Sequence, residues 1–291
     1  MDLFNDNNFD VNFNTNPITP SDFGNTYNSL VPNSFAVSHV NVRSMNKNFE
    51  ELKLLYETVL TEKFKVIGVS ETWAMYNSNL FNLNSYNLEY NCRKIGRGGG
   101  VAAYIHNSVN YKILPLHVLH SESLWLELID NKHVFIVGII YRKPNTSVSE
   151  FHTSLLDVLC SIKLDKKQCI LMGDFNMDFS KPDISIDNFQ TNMICLNLKQ
   201  LVLTPTRITS TTETVIDHIY MAISIIVKFT RVLLLQIFQT TYLSLRFLKM
   251  FLPMIMLTVM SFIEVTKTSR QLTFNRIYRS NNGMMSTCVQ M

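Results

Sequence analysis

Residues Leu171 to Asp178 read Leu-Met-Gly-Asp-Phe-Asn-Met-Asp, and this stretch decides the fold that the sequence predicts. The apolar run 169–172 is typical of a buried central strand. Gly173 ends the run, and Asp174 and Asn176 follow with one residue between them. Because side chains two apart on a strand point to the same face, we expect a carboxylate and a carboxamide at one sheet edge.

Two interpretations of this pair are open on the residues alone. In the first, Asp174 takes or orients the proton of a water molecule beside a phosphate, and the Asn176 amide positions the reacting groups. In the second, the strand simply runs into an Asp/Asn turn whose side chains bond to nearby backbone. A Gly-Asp-x-Asn string is too short to decide between them, so the rest of the chain has to.

Composition bounds the class of protein. The chain of 291 residues is 46% hydrophobic, which is enough for one large domain or two small ones. Its N-terminus is polar and acidic, unlike a secretory signal. We therefore expect an intracellular protein, in the cytoplasm or the nucleus, with reduced thiols. The five cysteines contain no Cys-x-x-Cys pair, and they are Cys92, Cys160, Cys169, Cys195 and Cys288.

The charge distribution divides the chain. Residues 1–220 carry 22 acidic and 18 basic side chains, whereas residues 221–291 carry one acid and eight bases. Residues 1–34 are rich in Asn and poor in apolar residues, which predicts a disordered leader. We therefore predict a folded domain over 35–220 and an atypical apolar, basic tail over 221–291.

Within the predicted domain, strands outnumber helices. Apolar runs predict strands at 35–42, 66–69, 101–105, 124–128, 134–141 and 169–172, with a last one at 214–220. Helical spacing follows residue 46 or 48 and recurs around 189–198, and Ser147-x-x-Glu150 is a capping box that opens a further helix. This pattern predicts an α/β fold, a four-layer sandwich of two packed mixed β-sheets flanked by helices, with its C-terminal strands missing.

Several predicted strands end in a polar residue. Each has an ordinary interpretation as a turn cap, a surface residue or an amphipathic core residue, but five such strand ends in one domain indicate a site. Oxygen donors of this kind hold Mg²⁺ through one or two carboxylates, with waters and substrate phosphate completing the shell. The residues are Asn41, Glu71, Tyr141 with Arg142, Asp174 with Asn176, and Asp217.

The order of these motifs resembles the endonuclease/exonuclease/phosphatase superfamily. It is most similar to the endonuclease domain that opens the polyprotein of non-LTR (LINE-like) retrotransposons, over roughly residues 36–220. The motifs are Asn41-Val-Arg-Ser, Ser-Glu71-Thr-Trp, Gly-Gly-Gly-Val-Ala-Ala-Tyr, Trp125-x-Glu127, Tyr141-Arg-x-Pro, Gly-Asp174-Phe-Asn176 and Thr206-Arg-x-Thr followed by Ile-Asp217-His-Ile.

The resemblance implies a metal-dependent endonuclease that hydrolyses DNA phosphodiester bonds, with Mg²⁺ or Mn²⁺ as cofactor and DNA as partner. No stable protein partner and no membrane are implied. Two alternatives stay open: a catalytically dead remnant that binds DNA, and a phosphoesterase of the same fold with another substrate. The implied roles are metal binding for Glu71 and Asn41, catalysis for Asp174, Asn176, Tyr141 and Asp217, and DNA contact for Arg142, Thr206, Arg207 and Thr209.

One element of the family pattern is absent. Such domains end in a Ser-Asp-His strand whose histidine is catalytic, and this sequence contains no Ser-Asp-His. His218 directly follows Asp217, so on a strand the two side chains point to opposite faces. We therefore expect activity to be impaired.

The tail suggests a cause for this loss. One permitted codon choice for residues 235–245, read two bases out of frame, encodes Ser-Asp-His. A choice for residues 282–288 in the same register gives a Trp-Asp-Asp-Val-Tyr string. We hypothesise that a frameshift near residues 220–221 makes the tail a wrong-frame translation. The competing interpretation is a membrane segment at 247–263, although Lys249 and Pro253 interrupt the roughly 20 apolar residues that a spanning helix wants.

The nucleotide sequence of codons 210–291 tests this hypothesis. We expect the shifted frame to continue without stop codons through Ser-Asp-His and then Trp-Asp-Asp-Val-Tyr. Stop codons throughout that frame would make the tail the genuine sequence, and the membrane interpretation would gain.

Overall fold

Two sheets packed face to face form the protein, as a computed structural model shows. This confirms the sandwich that the sequence predicts. The model describes residues 17–18, 35–60, 64–94, 97–130, 133–162, 167–208, 211–222, 227–238 and 255–265.

The first sheet is built mainly from the first third of the chain. Its strands run in the order β1-β14-β15-β2-β3-β5-β4, and the short pair β11 and β12 joins it through β15. Their bounds are β1 Pro17–Ile18, β2 Phe35–Asn41, β3 Val66–Ser70, β4 Tyr86–Asn91, β5 Val101–His106, β11 Arg207–Ile208, β12 Glu213–Thr214, β14 Val227–Phe238 and β15 Ile255–Val265.

The second sheet has the order β10-β13-β9-β8-β7-β6. Its strands are β6 Asn110–Leu114, β7 Ser121–Asp130, β8 His133–Arg142, β9 Gln168–Asp174, β10 Leu198–Gln200 and β13 Asp217–Ala222. The helices are α1 Met45–Leu54, which continues into a π-type turn at Leu55–Val59, α2 Val148–Ile162 and α3 Ile184–Cys195, with a 3₁₀ turn at Ser78–Leu80.

Burial of apolar side chains on both faces of each sheet produces the four layers. Between the sheets, the Phe35 and Phe135 rings stack with their centroids 4.0 Å apart. Outside the first sheet, Phe49 of α1 packs into a cluster with strand residues, and outside the second, Phe151 and Phe189 of α2 and α3 do the same. Removal of this apolar surface from water is the main force that holds the layers together.

Local predictions hold at some helix ends and fail at others. The predicted capping box opens α2, where the Glu150 backbone N–H donates to the Ser147 hydroxyl at 3.2 Å. Ser44 precedes α1, and the Asn48 side chain donates to the Val42 carbonyl instead of capping the helix. The stretch predicted as a helix around 189–198 is shifted: α3 begins after Asp183, whose carboxylate caps it, and ends at Cys195. Leu198 already belongs to β10.

The tail supplies strands where the sequence predicts an open edge. β15 pairs antiparallel with β2, with Val259 opposite His39 and Ile263 opposite Phe35, and β14 pairs with β15. The edge beside β2 is therefore covered. The hypothesis that a frameshift near residues 220–221 makes the tail a wrong-frame translation stays a prediction. The remainder of the predicted leader and of the tail lies outside the described residues, except that Pro17–Ile18 pairs with β14.

No helix in the described part of the chain has the length and apolar character needed to cross a membrane. Part of the segment weighed above as a span, residues 255–263, is β-strand in the structure.

The central strand β9 has no room for a side chain at Gly173. Its φ is +150°, and a Cβ built there would lie 1.8 Å from the Ile140 carbonyl oxygen. We expect Gly173→Ala to lower the free energy of unfolding by about 3 kcal/mol, measured by urea denaturation. Gly98→Ala is the control, because Gly98 has a φ of +78° but nothing within 4 Å. It should cost about 1 kcal/mol, from backbone strain alone. Equal costs would contradict the steric account.

Candidate active site

The predicted site residues meet at one edge of the sandwich because strand pairing brings them there. β8 and β9 are parallel, as are β2 and β3, whereas β13 is antiparallel to β9 and begins at Asp217. In the second sheet, Tyr141, Asp174 and Asp217 are direct cross-strand neighbours on β8, β9 and β13. In the first sheet, Asn41 ends β2 opposite Ser70, the last residue of β3, and Glu71 follows. Both rows lie at the same edge, so the structure brings these predicted site residues together.

The Asn41 amide joins the two rows. Its Nδ2 donates to Glu71 Oε1 at 3.1 Å and to Asp174 Oδ2 at 2.9 Å. Its Oδ1 accepts from the Arg43 backbone N–H at 3.2 Å. One side chain therefore spans the two sheets and bonds both carboxylates.

Asp174 is held on both oxygens. Oδ1 accepts from the Asn176 backbone N–H at 2.8 Å, and Oδ2 accepts from Asn41. Burial, reinforced by the charge of Glu71, raises the pKa of Asp174 to about 7 against the opposing effect of these hydrogen bonds. Near neutral pH such a carboxyl exchanges readily between its two protonation states.

Asn176 lies beyond the strand, with a φ of +47°. Its Nδ2 donates to the Arg142 carbonyl at 2.7 Å, which fixes the amide beside Tyr141. Burial, followed by the charges of Glu71 and Asp174, raises the pKa of Tyr141 to about 12. The phenol therefore keeps its proton at neutral pH and is a hydrogen-bond donor for an anionic ligand.

Asp217 is a second buried acid in the same row. Burial and then the charge of Asp174 raise its pKa well above the usual range. Thr206 accepts at its hydroxyl from the Asp217 and Ile216 backbone N–H groups, at 3.1 and 3.2 Å. Asp217 Oδ1 has no hydrogen-bond partner among the described residues, and it lies 3.8 Å from the His39 Nδ1, which likewise has none there. That separation is too long for a hydrogen bond.

Glu71 reaches the site from a strained backbone. Its φ is +53° and that of Trp73 is +59°, conformations that side chains rarely adopt. The Trp73 backbone N–H donates to the Gly99 carbonyl at 2.8 Å, and its indole Nε1 donates to Glu71 Oε2 at 3.4 Å. Gly98 to Gly100 form a tight turn with positive φ throughout, as the sequence predicts for a glycine run that leads into a strand.

Arg142 is buried, whereas the family resemblance implies that it contacts DNA. The residue is 4% exposed, and its guanidinium donates to the Phe175, Asn176 and Thr146 carbonyl oxygens at 2.6 to 2.9 Å. Burial lowers the pKa of this guanidinium. Arg142 therefore fixes the loop that carries Asn176, and its predicted contact with DNA stays a prediction.

The other three predicted DNA contacts differ in their exposure to solvent, and one of them is not described by the structure. Arg207 is exposed, and its charge opposes the raised pKa of both Asp174 and Asp217, so it lies near the site. Thr206 is 3% exposed and orients Asp217 instead of facing solvent. Thr209 lies outside the described residues.

The histidine of β13, His218, does not replace the missing catalytic histidine. As predicted, His218 points to the opposite face from Asp217. Its Nδ1 accepts from the Gln200 amide at 2.8 Å, its Nε2 donates to the Met177 carbonyl at 3.1 Å, and its ring packs on Phe179. Burial lowers the pKa of His218 to about 3, so the ring is neutral and structural.

The donor set fits a divalent cation. No group of three His, Cys, Asp or Glu side chains in the described part of the chain forms a metal centre by itself. Mg²⁺ does not need one, because one or two carboxylates suffice when waters and phosphate oxygens complete its shell. The charge of Glu71 contributes to the raised pKa of Asp174, and Asp217 Oδ1 has no partner among the described residues, so a cation here would offset negative charge. Asn41 would have to rotate its amide to present oxygen, since Oδ1 now faces Arg43.

Sequence reasoning missed two participants, His39 and Trp73. His39 is fully buried on β2, two residues before Asn41, and its Nε2 bonds the Ser70 hydroxyl at 3.1 Å. Its period-two spacing from Asn41 was the available signal, because it places both side chains on the same face. Trp73 gave no such signal, since a positive φ at a strand end cannot be read from the residue type.

The repulsion between Asp174 and Asp217 predicts a pH-dependent gain from Asp217→Asn. A carboxyl whose folded pKa is raised contributes stability below its unfolded pKa and loses it as pH rises toward the folded pKa. The neutral amide escapes that loss, so the stabilising effect of Asp217→Asn should grow from pH 4 to pH 8, by up to about 1.4 kcal/mol per pH unit. Chemical denaturation at several pH values measures it. Asp157→Asn, at an exposed position on α2, is the control, and a gain independent of pH would contradict the prediction.

Comparison with known proteins places this geometry in a family. The model of the Endonuclease/Exonuclease/phosphatase family matches residues 39–236, which extends past the predicted domain boundary at 220. No curated protein is significantly similar to the sequence.

Solved structures of several activities share the fold. D. rerio TDP2, complexed with a single-strand DNA product, is 12% identical with a TM-score of 0.57, over 80% of this chain and 100% of that one. A mannosyl-6-phosphatase of Bacteroides thetaiotaomicron is 16% identical with a TM-score of 0.58, over 80% and 100%. The endonuclease domain of TRAS1, a telomere-specific non-LTR retrotransposon, is 10% identical with a TM-score of 0.56, again over 80% and 100%.

These identities establish the fold alone, whereas the family match covers more than half of the sequence and includes every predicted site residue. The chain belongs to the endonuclease/exonuclease/phosphatase family.

Proposed function

We propose that the protein is a Mg²⁺-dependent phosphodiesterase that nicks DNA, as a retrotransposon-type endonuclease does. Family membership supports a hydrolase of phosphate esters. The observation that carries the proposal is the bonded cluster of Asn41, Glu71 and Asp174, which joins both sheets at an edge where Asn41 and Glu71 are half-buried. DNA as the substrate draws support from the TRAS1 endonuclease domain and from TDP2, which is complexed with DNA.

The residues divide the work of hydrolysis between them. Asp174 takes or orients the proton of the attacking water, since its pKa of about 7 matches neutral pH. The protonated Tyr141 donates a hydrogen bond to a phosphate oxygen, and Asn176, fixed by the Arg142 carbonyl, positions that phosphate. Glu71 with Asn41 would hold the Mg²⁺ ion, which when bound supplies positive charge against the developing charge on the phosphoryl oxygens.

Asp217 is the last acid of this row, and its Oδ1 accepts no hydrogen bond from the residues that the structure describes. In the family pattern that the sequence resembles, this acid orients a catalytic histidine that the sequence lacks. Loss of one group that stabilises transition-state charge costs roughly 10²–10³ in rate. We therefore propose slow turnover for this chain.

A phosphatase acting on a phosphomonoester is the second candidate. It is suggested by the mannosyl-6-phosphatase, which shares the fold with a TM-score of 0.58. The assays must therefore include a phosphomonoester beside the DNA substrate.

Nicking of supercoiled plasmid in the presence of Mg²⁺ tests the proposal. We expect slow nicking that Glu71→Gln and Asp174→Asn each reduce by about 10²–10⁴-fold, because each removes a group acting on the reacting phosphate. The control is Glu57→Gln, whose carboxylate accepts from the Asn84 backbone N–H at the opposite end of the first sheet. Mg²⁺ should also raise the melting temperature of the wild type more than that of Glu71→Gln.

Three outcomes would count against the proposal. Nicking unaffected by either substitution would place the chemistry elsewhere. DNA binding with no hydrolysis of any substrate would identify a non-catalytic remnant. Faster hydrolysis of the phosphomonoester than of DNA would favour the phosphatase.

A further inference from the structure

A cluster of three charged side chains lies beside the site and has no part in the chemistry described so far. Glu122 Oε1 accepts from Arg93 Nε at 2.8 Å and lies 3.6 Å from Lys143 Nζ. Glu122 Oε2 accepts from the Gly100 backbone N–H at 3.5 Å. Two cations therefore share one carboxylate, and the cluster carries a net positive charge.

The cluster extends the row of site residues across the second sheet. Glu122 is the direct cross-strand neighbour of Tyr141, as Tyr141 is of Asp174. Two strand spacings separate Glu122 from Asp174, a span of about 10 Å. Arg93 follows β4 of the first sheet, so its bond to Glu122 bridges the two sheets, as the Asn41–Asp174 bond does further along the same edge.

Burial differs sharply between the partners. The Glu122 side chain is 10% exposed, whereas those of Arg93 and Lys143 are 35% and 43% exposed. The carboxylate is thus fixed inside the edge, and it holds two cationic groups at the surface. The cluster also packs on the glycine turn, where a Cβ at Gly99 would lie 2.6 Å from Glu122 Oε2 and 2.7 Å from an Arg93 guanidinium nitrogen.

This arrangement suits a second phosphate group. Guanidinium and ammonium groups are the usual partners of backbone phosphates, and contacts of this kind fix the register of a nucleic acid without reading its sequence. Cations already held by a buried acid lose less freedom when they bind an anion. On the opposite side of Asp174, the exposed Arg207 lies near Asp217. A strand that places one phosphate at Asp174 therefore has cationic groups on both sides.

We propose that Arg93 and Lys143 bind a non-scissile backbone phosphate next to the one that is hydrolysed, with Glu122 as the residue that positions them. The inference rests on the proposed function, because it takes the phosphate at Asp174 as the scissile one. It also names the substrate class: a polynucleotide, with a phosphate on the flank of the reacting bond, is preferred to a small phosphate ester that carries only one.

Two substrates separate this role from catalysis. A DNA oligonucleotide carries flanking phosphates, and bis(4-nitrophenyl) phosphate carries only the phosphodiester that reacts. We expect Lys143→Ala and Arg93→Gln to raise the KM for the oligonucleotide about tenfold and to leave hydrolysis of bis(4-nitrophenyl) phosphate unchanged. Arg93→Lys, which keeps the charge, should recover part of the loss.

The matched control is Lys112→Ala. Lys112 is also a surface lysine paired with a carboxylate of β7, since its Nζ lies 2.7 Å from Glu127 Oε1. It lies at the other end of that strand and should change neither substrate. The melting temperatures of all variants show whether they are folded. If Arg93→Gln fails to fold, Lys143→Ala still tests the proposal, because it removes only a half-exposed side chain.

Binding to the oligonucleotide gives a readout that needs no turnover. The slope of log K against log salt concentration should fall by about 0.9 for each phosphate contact that a variant loses. Replacing the neighbouring phosphate with an uncharged methylphosphonate should weaken the wild type more than it weakens Lys143→Ala, which keeps Arg93, and should not weaken a variant that carries both Lys143→Ala and Arg93→Gln.

The outcomes distinguish the two proposals. If neither substrate is hydrolysed but the salt slope still falls in Lys143→Ala, the proposed function fails and the phosphate contact stands. If both variants keep the wild-type slope, or lose activity equally on both substrates, the phosphate contact is overturned while the proposed function is judged by Glu71→Gln alone. Absence of any oligonucleotide binding would also overturn it.

Discussion

The hydrogen bonds of the Asn41 amide to Glu71 and Asp174 are the contacts on which the site depends. The two carboxylates come from different sheets, and without a donor between them their like charges would push the sandwich edge apart. An amide can donate to both at once because its two N–H groups diverge. The sheet packing brings the strand ends together, and this one side chain turns that proximity into an ordered cluster.

Backbone strain concentrates at the same edge. Arg43, Glu71, Trp73 and Asn176 all have positive φ, and each lies within a few residues of a strand end. Such conformations cost free energy and persist only where surrounding contacts fix them. Here those contacts are visible: the Gly99 carbonyl holds Trp73, and the Arg142 guanidinium holds the Asn176 carbonyl. Arg142 therefore supports the loop that carries Asn176.

The sequence predicts the sandwich and the meeting of the site residues, because both follow from period-two burial and from polar residues at strand termini. Parallel pairing of β8 with β9 and antiparallel pairing of β13 with β9 bring those termini to one edge. The sequence is less informative about what each polar residue does there. The two interpretations of Asp174 and Asn176 are both realised in part: the Asn176 backbone N–H bonds the Asp174 carboxylate as in an Asx turn, and Asp174 still faces Glu71 and Asn41. Arg142 and Thr206 looked like surface residues because a polar residue at a strand end usually is one. Only tertiary contacts with carbonyl and N–H groups distant in sequence show that both are buried.

Asp217 shows what the absent histidine means in physical terms. A buried carboxylate normally has all its lone pairs satisfied, and one without a partner carries a desolvation cost that hydrogen bonding does not offset. Among the described residues, Asp217 Oδ1 has no hydrogen-bond partner. His39 Nδ1 lies 3.8 Å from it, and the other ring nitrogen of His39 is bonded to Ser70. The acid therefore keeps the position and the raised pKa of a residue that bonds a partner. The fold holds Asp217 in place through the hydroxyl of Thr206, so the position of this acid does not depend on that partner.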